Sequence, residues 1–146
     1  MGQARRQSHG QFPLVGVSPS DLSVLPGKMP CHEEAAPLEP NHTHFVLVKG
    51  THWGDESKSL ARVASSIAGP APSVAIVING GEVTLRDAEC SVEERRPLWV
   101  IEGTGRSADR LVAATHGQEE ERLLKVAESG LVQAWHLDDL DGLRRG

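Results

Sequence analysis

The chain has 146 residues, of which 38% are hydrophobic and 3% aromatic, and its formal net charge is -5 with a sequence pI of about 5.8. This length suits a single domain over residues 1–146 with one core. The scarcity of aromatic residues and the lack of a basic stripe argue against a nucleic-acid partner, since single strands need stacking aromatics and duplexes need a basic face.

The sequence predicts no membrane or secretory segment. No apolar stretch approaches the roughly 18–20 residues that span a bilayer, and the N-terminal residues lack the apolar region of a secretory signal. Cys31 and Cys90 lie far apart and form neither a CxxC unit nor a disulfide framework. These features predict a cytoplasmic protein without membrane insertion.

The first part of the chain shows weak patterning. Residues 1–11 are polar and predict a short helix or a frayed end, and Phe12–Val17 follows as a first strand, with Pro13 at its start or on a sheet edge. Residues 18–41 are rich in proline and show little periodicity. They predict a long Pro-rich loop, and loops of this length are either functional or disordered.

Three short apolar runs follow, and each leads into a glycine-bearing loop and then into a segment with helical periodicity. This order is the βα half of a parallel α/β unit, and its repetition predicts a three-layer α/β sandwich with a mainly parallel sheet of about five strands. The runs are Phe45–Val48, Val74–Ile78 and Leu98–Ile101, and the loops are Gly50–Glu56, Asn79–Gly81 and Glu102–Arg106.

Capping residues predict where the helices begin. Ser57 or Asp55 is expected to cap the helix after the first loop, and Thr84 is expected at the N-cap of the next helix. A further helix is expected over residues 119–129, and a last strand is expected over Val132–Leu137.

The glycine loops form the candidate ligand site. Ligands of parallel α/β sheets bind at the carboxyl ends of the strands, where helix N-termini present N–H groups and the positive ends of their dipoles. Three such loops on one edge predict a cradle for a phosphate-containing small molecule. The predicted ligand-binding residues are Gly50, Thr51, Gly54, Glu56, Gly80, Gly81, Thr84, Glu102, Gly103, Thr104, Gly105 and Arg106.

Gly103–Arg106 is the strongest candidate segment, because its glycines admit a ligand close to the backbone and Arg106 can contact a phosphate in bidentate fashion. The alternative is a tight turn with a solvent-exposed arginine. Glu56 is expected to accept hydrogen bonds from ribose hydroxyls. Trp53 either lines an adenine pocket or fills a packing gap, and Gly80-Gly81 is either a binding loop or a structural turn.

No metal, cofactor or catalytic residue is assigned. His42 and His44 form an HxH pair that can be grouped with Cys31 and His32, but no recognised metal-ligand spacing connects the four residues. One histidine is instead expected to bond the backbone of the Pro-rich loop. The GxSxG and Walker patterns, which mark hydrolases and P-loop enzymes, are also missing from the sequence.

Several motifs resemble the TRPM-type SLOG domain, also called LSDAT, in its bacterial form: HTHFVLV…WGDE, SVAIVINGGEVT and PLWVIEGTGRSAD, preceded by QFPLVGVSP and AAPLEPNHTHF. The similarity covers Phe12 to Leu140. It implies a Rossmann-like fold and a cytosolic sensor that binds a nucleotide-derived small molecule of the ADP-ribose or NAD class. Channel relatives also place arginines on the helix where Arg62 falls, but an outward, salt-bridging arginine is the favoured interpretation.

Two alternative functions remain open. The wider superfamily includes phosphoribohydrolases, whose phosphate loop carries a glycine where this chain has Val83 before Thr84. Glu89 also lies too far along the chain to take the role of their catalytic glutamate. A nucleotide N-glycosidase or phosphoribohydrolase-like enzyme is therefore a weaker hypothesis than a sensor. The other alternative is a non-binding assembly module.

The resemblance also predicts a shortened domain. Family members usually begin with a further strand and a glycine-rich loop, and Met1–Arg5 resembles the end of the helix that follows them. A shortened sheet exposes an edge strand that either pairs with another chain, giving a homo-oligomer, or leaves the domain marginally stable.

Overall fold

The computed structural model describes residues 1–117 and 120–139. The chain divides into two compact units, residues 1–59 and 60–146, which are described separately below. In chain order the helices and strands are α1 (Gly2–Gln7), β1 (Val15–Pro19), β2 (Ser23–Val24), β3 (Ala36–Pro37), β4 (His44–Val48), α2 (Ser57–Ala68), β5 (Ala75–Ile78), α3 (Glu82–Glu93), β6 (Leu98–Glu102), α4 (Arg106–Thr115), α5 (Glu121–Ala127) and β7 (Val132–His136).

The first unit is built on a parallel pair of strands. β1 and β4 run side by side, with Val15 opposite His44 and Pro19 opposite Val48. The strand predicted from Phe12 begins at Val15 instead. The hydroxyl of Thr43 explains the later start, because it accepts a hydrogen bond from the Leu14 N–H at 2.8 Å and donates to the Leu14 carbonyl at 2.9 Å. The polar N-terminal segment forms α1, as one of its two predicted alternatives.

The Pro-rich segment contains more regular structure than its sequence predicts. A short 3-10 helix over Ser20–Leu22 buries Leu22 completely. β2 and β3 then form a short parallel pair, with Ser23 opposite Ala36 and Val24 opposite Pro37. Strands of two residues carry no detectable periodicity, which is why the sequence gives no sign of them. The β2–β3 pair therefore joins the two halves of the Pro-rich segment.

The second unit carries a parallel sheet with the order β5-β6-β7. Ala75 lies opposite Leu98, and Leu98 lies opposite Val132, so these three residues form one row across the sheet. Alternate strand residues, Val77 on β5 with Leu98 and Val100 on β6, join residues of α3, α4 and α5 in one core cluster. The core consists of Val77, Leu85, Ala88, Leu98, Val100, Ala108, Leu111, Val112, Ala114, Leu123 and Val126.

These pairings confirm the α/β class, and every described strand pair is parallel. The strands form sheets of two, two and three members, whereas the sequence predicted one sheet of about five. Within the described residues, β4 and β5 each have a hydrogen-bonded strand on one side only. On β5, Ile76 and Ile78 remain 56% and 58% exposed although the run VAIVI is typical of a strand covered on both faces.

The helix boundaries agree with the predictions except at the second loop. α3 begins at Glu82 with Gly81 at its N-cap, so the prediction of Thr84 as N-cap is wrong. Asn79 and Gly80 both adopt positive φ, so the chain completes its turn before Gly81 and the helix begins earlier than predicted. α5 falls inside the helical segment predicted over residues 119–129. Residue 119 and Leu140, where the similarity drawn from the sequence ends, lie outside the described residues. In the described part of the chain, no helix is long and apolar enough to cross a membrane.

Replacing Leu111 by alanine is expected to lower the free energy of unfolding by about 2–5 kcal/mol, because the removed side chain leaves a cavity in the core. Leu111 is fully buried, whereas Ile67 on α2 is 68% exposed and provides the control. Ile67→Ala is expected to change the same quantity by less than about 0.5 kcal/mol. Chemical denaturation measures both variants, and equal losses would contradict the packing described for Leu111.

Candidate functional site

The second and third glycine loops are joined at the carboxyl ends of β5 and β6. The Asn79 N–H donates to the Thr104 hydroxyl at 2.8 Å. The Ala108 N–H donates to the Asn79 carbonyl at 3.0 Å, and the Ser107 hydroxyl donates to the Gly81 carbonyl at 3.1 Å. Because β5 and β6 are adjacent and parallel, their loops meet on the same edge of the sheet. The structure therefore brings residues 79–81 together with residues 102–106.

Thr104 is the central link between these two loops. Its hydroxyl accepts the hydrogen bond from Asn79 and donates to the carbonyl of Ile101 at 2.6 Å. The hydroxyl is thus engaged within the protein on both sides. Glu102 is also tied into the sheet, because its carbonyl accepts a hydrogen bond from the Leu137 N–H at 3.0 Å beyond the end of β7.

Arg106 projects from the third loop over the second. Its side chain is exposed, and its backbone has a φ of 52°, a left-handed conformation that is uncommon for a residue with a side chain. A Cβ built on Gly81 would lie 3.0 Å from Nη2 of Arg106. The guanidinium therefore lies against the backbone of Gly81, at the N-cap of α3, in space that a larger residue would take.

Gly80 and Thr84 shape the second loop rather than leaving it open. Gly80 has a φ of 95°, and a Cβ there would lie 2.4 Å from the Thr84 hydroxyl oxygen. The Thr84 hydroxyl accepts a weak hydrogen bond from the Gly81 N–H at 3.3 Å. Thr84 therefore closes the loop from the third position of α3, and glycine is required at Gly80 on both conformational and steric grounds.

Asp109 is a functional candidate that the sequence reasoning missed. Its carboxylate accepts hydrogen bonds from the Gly103 N–H at 2.8 Å and from the Gly105 N–H at 3.1 Å. Gly103 and Gly105 have φ values of 84° and 90°, and this conformation turns both amides toward the same side chain. An aspartate in the first turn after a glycine loop was the available signal, since short polar side chains commonly accept local backbone hydrogen bonds.

The first loop belongs to the other unit and shows a related arrangement. Asp55, one of the two residues predicted to cap α2, accepts hydrogen bonds from the N–H groups of Thr51 and His52 at 3.0 and 3.1 Å and so holds the loop. The buried Glu56, 8% exposed, accepts a hydrogen bond from the Gly54 N–H at 2.7 Å. Gly50 is buried as well, whereas Trp53 is 41% exposed.

The side chains of His42, just before β4, and of His44, at its start, contact neighbouring side chains. Nδ1 of His42 lies 2.8 Å from the Glu39 carboxylate, and Nδ1 of His44 lies 2.9 Å from the Thr43 hydroxyl. The backbone contact expected of one histidine is made by His32, whose Nδ1 accepts a hydrogen bond from the Glu34 N–H at 3.2 Å. Burial raises the pKa of Glu39, but hydrogen bonds from Asn41 and His42 outweigh this effect and place the pKa below its usual value. Within the described residues, no three metal-binding side chains cluster.

Glu89 lies in an ionic cluster between α3 and α5. Nη2 of Arg122 donates to the Glu89 carboxylate at 2.8 Å, and the same guanidinium contacts Glu82. Hydrogen bonds to Glu89 and Glu82 raise the pKa of Arg122 above its ordinary value. An open groove of about 760 Å³ lies beside this cluster, and its lining includes Glu89, Arg122 and Lys125 but none of the predicted ligand-binding residues.

Comparison with known proteins identifies the family of this chain. Residues 1–143 match the family described as SLOG in TRPM, prokaryote. The chain belongs to this family. It is also similar to the transient receptor potential cation channel subfamily M member 2 of Mus musculus and of Rattus norvegicus, with 32% identity over 89 residues in each case. These alignments cover 49% of this chain and 6% of each channel, so the chain spans a small part of the length of these relatives.

The family match confirms the resemblance drawn from the sequence motifs. The SLOG match includes the NGGEVT and EGTGRSAD segments, which the structure joins at one sheet edge through Asn79 and Thr104. It also includes the WGDE segment, which lies in the first unit of the SLOG domain.

Thr104→Val is expected to destabilise the SLOG domain by about 1 kcal/mol, because it removes the acceptor of the Asn79 N–H. Thr104→Ser retains the hydroxyl and serves as the control, with a smaller loss. Urea unfolding measures the stability, and amide hydrogen exchange at Asn79 reports the bond itself. Unchanged protection of the Asn79 amide in the valine variant would contradict the bridging role.

Proposed function

We propose that this SLOG domain is a cytoplasmic ligand sensor that binds a nucleotide-derived small molecule of the ADP-ribose or NAD class. One observation carries the proposal: the exposed guanidinium of Arg106 lies against Gly81 at the start of α3, where two glycine loops are joined. We assign the ligand's phosphate groups to this position. The family match supports the proposal by showing the type of domain.

The physical basis is the coincidence of two positive features. α3 has 12 residues, and the N–H groups of its first turn have no acceptor within the helix. These groups and the helix dipole favour an anion at the N-terminus. Arg106 adds a full positive charge and a planar set of donors that suits phosphate oxygens. A diphosphate offers enough oxygens to engage both features at once.

The remaining predicted ligand residues have different roles and different support. Gly103, Gly105 and Thr104 act mainly by shaping the loop that presents Arg106. Gly50, Thr51, Gly54 and Glu56 lie in the first unit and remain predicted ligand-binding residues on the strength of the sequence motif alone. The cation-channel relatives share a small part of their length with this chain, so we assign it ligand binding and no channel activity.

Isothermal titration calorimetry with ADP-ribose, NAD and AMP tests the proposal. Arg106→Ala is expected to weaken binding by roughly tenfold or more, the effect of losing a charge-assisted contact. Gly81→Ala is expected to weaken binding as well, because the new methyl group displaces the guanidinium. Lys125→Ala removes the same charge from the exposed Glu121–Lys125 pair on α5 and is expected to leave the affinity unchanged. No heat and no thermal shift at millimolar ligand would reject the proposal.

An enzyme is less well supported than a sensor. Glu89 is bound to Arg122 rather than directed by any observed contact toward the glycine loops. Release of free base from AMP, followed by chromatography on the same samples, checks this point. Base release that is lost in Arg106→Ala would favour the phosphoribohydrolase-like alternative.

A second candidate function, self-association, is favoured by the exposed face of β5. Ile76 and Ile78 are both more than half exposed on a strand that has one hydrogen-bonded neighbour among the described strands. Exposed apolar edge strands commonly pair with another chain. We propose that a second copy of this chain pairs there.

Replacing both Ile76 and Ile78 by lysine is expected to shift the sedimentation of the protein from dimer toward monomer, because charges on an edge strand oppose pairing. Ile67→Lys, on an exposed helical position, is the control and is expected to leave association unchanged. Analytical ultracentrifugation over a range of concentrations measures the effect. A wild-type protein that is monomeric throughout, with a cooperative melt, would contradict self-association.

A further inference from the structure

The carboxylate of Asp109 occupies the position on the third loop where an anionic ligand would be expected. It accepts hydrogen bonds from two alternate backbone N–H groups, those of Gly103 and Gly105, at 2.8 and 3.1 Å. Alternate amides that point to one side form a concavity suited to anions. In this protein the anion in the concavity is the protein's own side chain.

This contact fixes the backbone immediately before Arg106. Gly105 is the N-cap of α4 with a φ of 90°, and Arg106 follows with a φ of 52°. A left-handed conformation costs free energy for a residue with a side chain and persists where the surrounding structure imposes it. The two hydrogen bonds to Asp109 end at Gly105, one residue before the strained position. They are therefore well placed to impose it.

The conformation of Arg106 in turn decides where its guanidinium lies. With this backbone, Nη2 comes within 3.0 Å of the point that a Cβ on Gly81 would occupy. The Ser107 hydroxyl bonds the Gly81 carbonyl from the next position of α4, so the two segments are held together at two successive residues. Release of the third loop from Asp109 would free Arg106 to relax and leave Gly81.

We propose that Asp109 is a positioning residue that sets Arg106 for phosphate recognition and closes the amides of the third loop to the ligand. Phosphate is then recognised by Arg106 and the start of α3, and not by the N–H groups of Gly103 and Gly105. This inference rests on the proposed function. Within that function, the amides of the third loop bond Asp109, and Arg106 of the same loop binds the phosphate beside the second loop.

The first loop supplies an internal comparison. Asp55 accepts two backbone N–H groups there, from Thr51 and His52, in the same way that Asp109 does in the third loop. The residue after Asp55 is Glu56, whose buried carboxylate bonds Gly54. The carboxylate contact is thus a shared means of holding the first and third loops.

A double-mutant cycle between Asp109 and Arg106 tests the proposal with ADP-ribose as the probe. Asp109→Ala is expected to weaken binding by roughly tenfold, as the loss of one charge-assisted contact would. In the Arg106→Ala background, the same change is expected to leave the remaining affinity unaltered, because Asp109 acts through Arg106. Asp109→Asn keeps one acceptor oxygen and is expected to give an intermediate loss.

Two outcomes would overturn the proposal. Tighter binding by Asp109→Ala would show that the carboxylate competes with the phosphate for the loop amides. Additive losses of affinity would show that Asp109 acts on stability alone, since a purely structural role does not depend on Arg106.

A measurement without ligand separates this inference from the proposed function. Nuclear Overhauser contacts between the Arg106 side chain and Gly81 are expected in the wild type and are expected to vanish in Asp109→Ala. Asp55→Ala is the matched control, because it removes a carboxylate from two loop amides elsewhere and is expected to leave these contacts intact. If the wild type binds no ADP-ribose but the contacts follow this pattern, positioning stands and the proposed function fails. Contacts that survive in Asp109→Ala would refute positioning.

Discussion

The backbone amides at the carboxyl ends of the parallel strands need acceptors, and this requirement shapes every candidate loop of the protein. Strand hydrogen bonds end where the loops begin, so the first amides of each loop are left without ladder partners. Side chains from the same loop, from the next helix or from the neighbouring loop supply them: Asp55 for Thr51 and His52, Glu56 for Gly54, Thr104 for Asn79, Thr84 for Gly81, and Asp109 for Gly103 and Gly105.

Because side chains of the protein bond these amides, the glycine loops need a different interpretation. A glycine-rich loop is commonly taken as an open set of N–H groups that wraps a phosphate. Here the glycines at 103 and 105 adopt positive φ so that their amides reach a carboxylate of the protein. The proposed function therefore assigns the anion to the exposed guanidinium of Arg106, together with the start of α3. Recognition through a side chain can be tuned by substitution, whereas recognition through amides cannot.

The alternation of apolar runs, glycine loops and helical periodicity was sufficient to predict the α/β class and most elements. The run Phe45–Val48 became β4, and Leu98–Ile101 became β6, each to within one residue. The start of α3 was misplaced because Gly81 and Thr84 are both residues that favour helix starts, and the left-handed turn at Asn79 and Gly80 decides between them. Hydrophobic patterning does not predict backbone conformation of that kind.

The side-chain contacts of the site were less predictable for a related reason. The acidic residues at 55 and 109 look alike in sequence, each in or near a first helical turn, where capping and dipole effects already explain them. Which amides they accept depends on the path of the preceding glycines. The exposure of Ile76 and Ile78 was also hidden, because a continuous apolar run predicts burial on both faces whatever neighbours the strand finally has.

The acidic residues of α3 complete the electrostatic argument. A glutamate in the first turn normally complements the positive end of a helix dipole, and Glu82 at that position would weaken the attraction for a phosphate. Glu82 instead contacts Arg122, which also binds Glu89 about two turns further along the same face of α3, and these contacts raise the pKa of Arg122. The guanidinium from α5 thus offsets the charge that Glu82 brings to the start of α3. The charge of Arg106 at Gly81 is then the one that the proposed function assigns to an anion.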